Sequence, residues 1–254
     1  MPDLDRLLPA LLDLVARAGS VVLEHYARPA DAALKADASP VTAADRAAEA
    51  VIEAGLRALD PAIPIVAEEA VAAGRVPTVA PGAAFWLVDP LDGTKEFLSR
   101  NGEFTVNVAL VDDGEPILGV VAAPAVDRSW WGVAGRGAWT RGDGGARPIR
   151  VRRRPAGGLV AVASRSHRDP ATDAWLAAHD VRETISAGSS LKLCLVAEGR
   201  ADVYPRFGRT MEWDIAAGHA VLAAAGGRVE TVDGRPLRYG KPGFENPPFI
   251  AWGG

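Results

Sequence analysis

Trp86-Leu87-Val88-Asp89-Pro90-Leu91-Asp92-Gly93-Thr94-Lys95-Glu96-Phe97 is the stretch on which the reading of this chain turns. Residues 84–88 are an apolar run, which predicts a buried strand. The run ends in two aspartates three residues apart, in a turn marked by Pro90 and Gly93. Buried carboxylates repel one another and resist desolvation, so they call for a cation or a proton. A hydroxyl (Thr94) and an ammonium (Lys95) follow at once. This combination fits a divalent-metal site facing a phosphate. It equally fits an Asx-stabilised strand-to-helix turn, and the stretch by itself leaves both readings open.

The rest of the chain narrows the setting. Its 254 residues suffice for one large domain or two closely joined lobes. A net charge of −4 gives no general attraction to nucleic acid or an anionic membrane. A single cysteine, Cys194, excludes an intramolecular disulfide and a multi-cysteine zinc site. It lies in the apolar run Leu193-Cys194-Leu195-Val196, which predicts a buried, inert thiol. No apolar run reaches membrane-spanning length, and no signal-peptide pattern opens the sequence. The expected setting is the cytoplasm, with peripheral contact at the inner membrane left open. A monomer and a homodimer are both compatible with the sequence.

Leu4, Leu7, Leu8, Leu11, Val15, Ala18 and Val22 recur at helical spacing and predict an amphipathic helix over 3–27. A polar connection with a turn at Ser39-Pro40 follows, then a helix over 43–59 with Thr42 as N-cap. Asp45 sits where a capping box places an acid. A strand over 63–67 delivers Glu68. Residues 104–112 and 117–123 flank Asp113-Gly114, a hairpin signal. A second hairpin is expected around Gly135. Residues 141–145 read as an exposed turn, and Arg147, Arg150, Arg152, Arg153 and Arg154 as a solvated linker between lobes 1–155 and 156–254. The second half alternates strand and helix. Strands are expected at 159–163, 184–187, 201–204 and 228–232, the last opening a hairpin at Asp233-Gly234. Helices are expected at 170–179, 190–197 and 214–225. The order predicts an α/β (α+β) fold with helices covering sheets.

Glu68, Asp89, Asp92 and Asp214 stand at strand ends or at the head of a helix. Each has an ordinary reading, a loop carboxylate for Glu68 and a cap for Asp214. Together they would converge on one sheet edge, and all-oxygen ligands suit Mg²⁺ or Mn²⁺ rather than zinc. Divalent cations in phosphate-ester hydrolysis acidify water and neutralise phosphoryl oxygens. Thr94 is placed to orient that water, and amides at Gly93 and Thr94 would bind phosphate if they open a helix. His25, His179 and His219 read as surface or packing residues.

Three blocks carry a resemblance: Ala67-Glu68-Glu69, the opening stretch, and Trp213-Asp214-Ile215-Ala216-Ala217-Gly218 followed by Ala225-Gly226-Gly227. With Ser39-Pro40-Val41-Thr42-Ala43-Ala44-Asp45 upstream, the chain resembles the magnesium-dependent phosphomonoesterases of the inositol monophosphatase superfamily. Lys95-Glu96-Phe97, the stretch from Asn101 to Asn107, Gly188-Ser189-Ser190-Leu191-Lys192 and Tyr204-Pro205-Arg206-Phe207-Gly208 are most similar to its bacterial 3′(2′),5′-bisphosphate nucleotidases. The resemblance implies a layered αβαβα sandwich that hydrolyses adenosine 3′,5′-bisphosphate, a small phosphate ester, to AMP. It implies two or three Mg²⁺ ions. One is held by Glu68, Asp89 and the Leu91 carbonyl, and a second by Asp89, Asp92 and Asp214; a third lies near Glu68. Asp45 and Thr94 would take the proton of the attacking water. Gly93, Thr94 and Lys95 would meet the phosphate, while Ser189, Lys192, Arg206 and His167 would hold the nucleotide and its second phosphate. The competing expectations are a phosphatase for inositol or histidinol phosphate, or a silent binding relative. Silence conflicts with a full set of clustered, mutually repelling carboxylates.

Overall fold

The computed structural model describes residues 2–28, 32–34, 40–166 and 168–254. In chain order the elements are α1 (Leu4–Tyr26), β1 (Ala32–Leu34), β2 (Pro40–Thr42), α2 (Ala43–Leu59), β3 (Ile65–Ala67), α3 (Glu68–Ala72), β4 (Phe85–Asp92) and α4 (Thr94–Leu98). Then come β5 (Thr105–Asp112), β6 (Glu115–Ala123), β7 (Arg128–Val133), β8 (Gly137–Gly142) and β9 (Gly145–Ile149). The second half holds β10 (Leu159–Ser164), α5 (Pro170–Ala178), β11 (Val181–Ala187), α6 (Leu191–Ala197), β12 (Val203–Arg206), β13 (Thr210–Met211), α7 (Glu212–Ala224), β14 (Arg228–Thr231), β15 (Glu245–Asn246) and β16 (Phe249–Trp252).

Two sheets organise the molecule. The first runs β3-β4-β5-β6-β7-β8-β9 and the second β11-β10-β12-β16-β14. Alternation along the strands sorts side chains between layers. Trp86, Val88, Val106, Val108 and Leu110 face α1 and α2, where they meet Leu7, Leu11, Ile52 and Leu56. Phe85, Leu87, Ala109 and Val111 face the other way, into a core shared with α6, α7 and Val160 and Val162 of β10. The outer face of β10, with Leu159, Ala161 and Ala163, packs against Leu176 of α5. The five layers are therefore α, β, α, β, α, and every strand buried on both faces reads as a nearly continuous apolar run.

α7 is the central layer. Ten of its residues are buried, and they surround the helix rather than forming one stripe. It rests on a saddle made by Gly119 and Gly132, which face each other across β6 and β7. A Cβ at Gly119 would lie 2.5 Å from the Ala217 carbonyl oxygen, and one at Gly132 2.5 Å from that of Ala220. Only glycine permits this approach.

Several expectations need correction. Glu68 opens a short helix instead of sitting in a loop. β4 does not stop at Val88 but continues to Asp92. Part of the basic stretch forms β9, an edge strand, and Arg152 is partly exposed but not a free linker charge: it grips the buried Asp202 carboxylate with bonds of 2.7 and 2.6 Å. The strand at 228–232 pairs with β16, which inserts antiparallel between β12 and β14. The turn at Asp233-Gly234 forms as expected, with the Gly234 N–H on the Thr231 carbonyl and the Thr231 N–H on the Arg235 carbonyl, both at 2.8 Å, though the returning arm pairs only through a bridge between Glu230 and Pro236. The connection over 35–39 lies outside the described residues. Trp130 and Trp131 are core residues, and Trp139 stacks on Trp131. Among the described residues no helix is long and apolar enough to cross a membrane.

Candidate active site

The site grows out of an irregularity in β4. Its pairing with β5 shifts register between Asp89 and Asp92, as Pro90, which has no N–H to give the ladder, requires. The Leu91 N–H folds back onto Asp89 Oδ1 at 3.0 Å. Gly93 then adopts φ +89°. A side chain there would also press on the Glu103 carbonyl, the Glu96 carboxylate and Ser189, each at 3.3 Å. α4 starts at Thr94, so the Gly93 and Thr94 amides lie at a helix opening, the condition on which their phosphate-binding role depended.

Asp45 has two jobs. Its Oδ2 accepts from the Thr42 N–H and hydroxyl, both at 2.7 Å, and closes the capping box of α2. Its Oδ1 faces Thr94, whose hydroxyl donates to it at 3.4 Å and lies 3.5 Å from the Leu91 carbonyl. Burial raises the Asp45 carboxyl to about 6 despite the bonds from Thr42.

Glu68, Asp89, Asp92 and Asp214 border one cavity of about 600 Å³. Burial pushes Asp89 well above the carboxylate range, and the negative charges of Glu68, Asp92 and Asp214 add to the push. Asp214 is raised by burial and then by Asp92 and Glu68. Asp92 is raised by burial, with Lys192 opposing. Each aspartate spends one oxygen on a protein donor: the Leu91 amide for Asp89, Asn107 Nδ2 at 3.4 Å for Asp92, and the Met211 amide at 2.8 Å for Asp214. Among the described residues no three acidic, histidine or cysteine side chains are drawn into a ready ligand group. The donor set nonetheless fits a divalent cation. It is all oxygen, and burial raises the carboxyls of Asp89, Asp92 and Asp214.

Cations gather elsewhere along the same cavity. Lys192 and Arg206 are both buried. Lys192 Nζ donates to the Ser189 carbonyl, lies 5.4 Å over the Tyr204 ring, and is lowered by burial to about 8. Arg206 Nη2 donates to the Arg209 carbonyl at 3.1 Å. Ser189 stands in the left-handed region at φ +42°. Lys95 and Leu91 also border the cavity. His167 lies outside the described residues. The structure thus brings eleven predicted residues to one cavity: Glu68, Asp89, Leu91, Asp92, Gly93, Thr94, Lys95, Ser189, Lys192, Arg206 and Asp214. Asp45 joins through Thr94.

Sequence reasoning missed Glu49. It is buried on α2, and its Oε2 accepts from the Glu69 N–H at 2.7 Å, so it seats the short helix that carries Glu68. Its carboxyl is pushed up to about 7, chiefly by burial. The signal was available: Glu49 follows Asp45 by four residues and precedes Ile52 by three, on the buried side of an amphipathic helix. His219 is a packing residue, as read. Its Nδ1 lies 2.9 Å from the Tyr239 hydroxyl, and burial lowers it to about 3. Cys194 is buried as expected.

The model of the inositol monophosphatase family matches residues 3–249. The chain belongs to the inositol monophosphatase family. Within the family it is 49% identical over 247 residues to 3′(2′),5′-bisphosphate nucleotidase CysQ of Escherichia coli O157:H7, covering 96% of this chain and 98% of the relative. The Buchnera aphidicola CysQ is 39% identical, with 92% and 88% covered. Among solved structures, CysQ from Bacteroides thetaiotaomicron superposes with a TM-score of 0.80 at 40% identity, with 96% of both chains covered. An inositol monophosphatase from Anabaena superposes at 0.78 with 28% identity, covering all of this chain and 92% of that one.

Proposed function

We propose that this family member is a Mg²⁺-dependent 3′(2′),5′-bisphosphate nucleotidase that hydrolyses adenosine 3′,5′-bisphosphate to AMP and phosphate. One observation carries the reading: a single cavity is bordered by the four predicted ligand carboxylates, with Glu96 beside them, and by two buried cations, Lys192 and Arg206. A monophosphate needs the first set alone. A bisphosphate also needs fixed positive charge for the phosphate that does not react, and Lys192 and Arg206 supply it. The 49% identity to a named bisphosphate nucleotidase supports the same choice.

In this reading Glu68, Asp89 and the Leu91 carbonyl hold one Mg²⁺ and Asp89, Asp92 and Asp214 hold a second, with a third near Glu68. Bound there, Mg²⁺ supplies acidified water and neutralises charge on the phosphoryl group. The Gly93 and Thr94 amides take phosphoryl oxygens, with Lys95 at the same rim. The Thr94 hydroxyl accepts a hydrogen bond from the attacking water while donating its own proton to Asp45. Asp45, raised to about 6, is largely ionised at neutral pH and receives the proton through that pair. The phosphorus–oxygen bond to the ribose 3′-oxygen breaks, that oxygen takes a proton from solvent water, and Asp45 returns its proton to solvent as phosphate leaves. Ser189, Lys192 and Arg206 hold the 5′-phosphate. Lobes 1–155 and 156–254 meet at the cavity, and the enzyme works in the cytoplasm.

Phosphate release from adenosine 3′,5′-bisphosphate, measured with Mg²⁺ beside inositol 1-phosphate, tests the reading. The bisphosphate should turn over with the higher kcat/KM. Faster hydrolysis of the inositol ester would overturn the substrate assignment.

A further inference from the structure

Three alternate residues of β5 and its lead-in meet three consecutive residues of the turn between β11 and α6. Glu103 Oε2 accepts from the Gly188 N–H at 2.8 Å. The Thr105 hydroxyl donates to Ser189 Oγ at 3.3 Å. Asn107 Nδ2 donates to Ser190 Oγ at 3.0 Å. Residues two apart on a strand share a face, so these form a ladder of three rungs. The intervening Phe104 and Val106 point into the opposite core.

Both ends of the ladder are fastened. At the outer end Arg165 grips Glu103 with two bonds of 2.8 Å and donates to the Ser186 carbonyl at 2.9 Å. At the inner end Asn107 Nδ2 also reaches Asp92 Oδ2 at 3.4 Å. Ser190 Oγ donates to the Asp214 carbonyl at 2.7 Å. That bond uses the only hydroxyl proton of Ser190, so its partner on β5 must be a donor, which fixes Asn107 with nitrogen inward.

The ladder holds a turn that would not choose its own shape. Ser189 sits at φ +42°, where a Cβ is unfavourable. A Cβ on Gly188 would stand 2.8 Å from the Glu103 carbonyl oxygen and from Glu96 Cγ. The Ser189 carbonyl in turn receives Lys192 Nζ. The ladder therefore ties the position of Lys192 to that of Asp92 and Asp214.

We infer that Glu103, Thr105 and Asn107 are positioning residues that set the separation between the carboxylates and the buried cations of the cavity, and so select substrates with two phosphates over monophosphates. The inference rests on the functional reading above and adds the element that determines its specificity. None of the three borders the cavity: Glu103 and Thr105 act through the turn they hold, and Asn107 acts through that turn and through Asp92.

The test compares wild type, Glu103→Ala, Glu103→Gln and Thr105→Val. For each, kcat and KM are measured with Mg²⁺ on adenosine 3′,5′-bisphosphate and on adenosine 3′-monophosphate. Binding of the bisphosphate is followed by calorimetry in EDTA. Losing one rung should raise KM for the bisphosphate about tenfold, the effect of one hydrogen bond at the upper end of its usual range, and leave kcat little changed. The monophosphate should respond far less. Glu103→Gln should recover most of the loss, because its carboxamide oxygen still accepts from Gly188. Calorimetry should show the same loss without metal. If Glu103→Ala does not fold, Thr105→Val, which keeps shape and removes only the hydroxyl function, carries the comparison. A wild type that prefers the bisphosphate, with the same preference in every variant, overturns the ladder alone. A wild type without preference overturns the functional reading and the ladder's role together.

Discussion

Replacing Gly132 by alanine adds one methyl group at the seat of α7. Its Cβ would stand 2.5 Å from the Ala220 carbonyl oxygen, 2.6 Å from Val221 Cα and 2.9 Å from Ala220 C. All three are backbone atoms, so no rotamer change relieves the clash. Ordinary carbon contacts lie near 3.5 Å, so helix or strand must retreat by about 1 Å. Overpacking of this kind costs about 1–3 kcal/mol. For a chain of this size each kcal/mol lowers Tm by roughly 2–4 °C, giving a fall of about 2–12 °C. The first turn of the same helix carries Asp214. A misplacement of about 1 Å at a reacting centre costs up to about 100-fold in rate, so kcat should fall by roughly 10- to 100-fold. Thermal denaturation and Mg²⁺-dependent phosphate release measure the two effects. Gly144→Ala, in a turn where nothing lies within 4 Å of the new methyl, is the control. Gly119→Ala should act like Gly132→Ala, and the double variant should lose less than the sum, because one lift of α7 relieves both contacts. A Gly132→Ala protein with the Tm and rate of the control would refute the saddle. A lowered Tm with full activity would show that Asp214 does not move with the helix.

The remaining predictions concern charge and the proton path. Glu49 has its folded pKa raised to about 7 from 4.5, so between these values the folded state binds more protons and stability falls as pH rises. Metal-free wild type should lose up to about 1.4 kcal/mol per pH unit from this group across that window, and Glu49→Gln should show a slope shallower by that contribution in denaturation curves at pH 5 and 7, the raised aspartates supplying the remainder. Asp92→Asn removes one of the repelling buried charges. The metal-free variant should melt no lower than wild type while losing the Tm rise produced by millimolar Mg²⁺; an undiminished rise would remove Asp92 from the ligand set. Thr94→Ala should lose about 100-fold in kcat with Tm nearly unchanged, and Thr94→Ser should retain most of the rate. Equal activity in the alanine variant would exclude Thr94 from the proton path.

What could be read from the sequence was local. Asp89, Asp92 and Gly93 stand out because carboxylates, Pro and Gly interrupt an apolar strand, and α2 announces itself through Thr42 and Asp45. The layered fold and the specific ligand role of Asp214 came through the family resemblance; its position at the head of a helix suggested that it joins the other acids, but it is 122 residues beyond Asp92 and no spacing rule joins them. β16 escaped because its partners β12 and β14 are fixed by long-range pairing, while 249–252 is four residues long and follows two prolines. β9 escaped because it is an exposed edge strand containing Pro148, with no alternation to detect. The helix that presents Glu68 is too short for a period to show. Thr105 and Asn107 left a trace, polar residues alternating with Val106 and Val108, and its meaning appears only when the turn at 188–190 comes to rest on it.

The position of α7 also bears on how the chain is born. β9 ends at Ile149, and α7 is complete only at Ala224. Until then one face of the first sheet, with Phe85, Leu87, Val111, Val121 and Trp130, has no cover. At about 5–20 residues per second a ribosome needs roughly 4–15 s to make the intervening stretch. For that interval the nascent chain displays a broad apolar surface, the kind of surface that holding chaperones recognise. Its yield in a cell is thus tied to the pace of translation through residues 150–224 as well as to the stability of the finished enzyme.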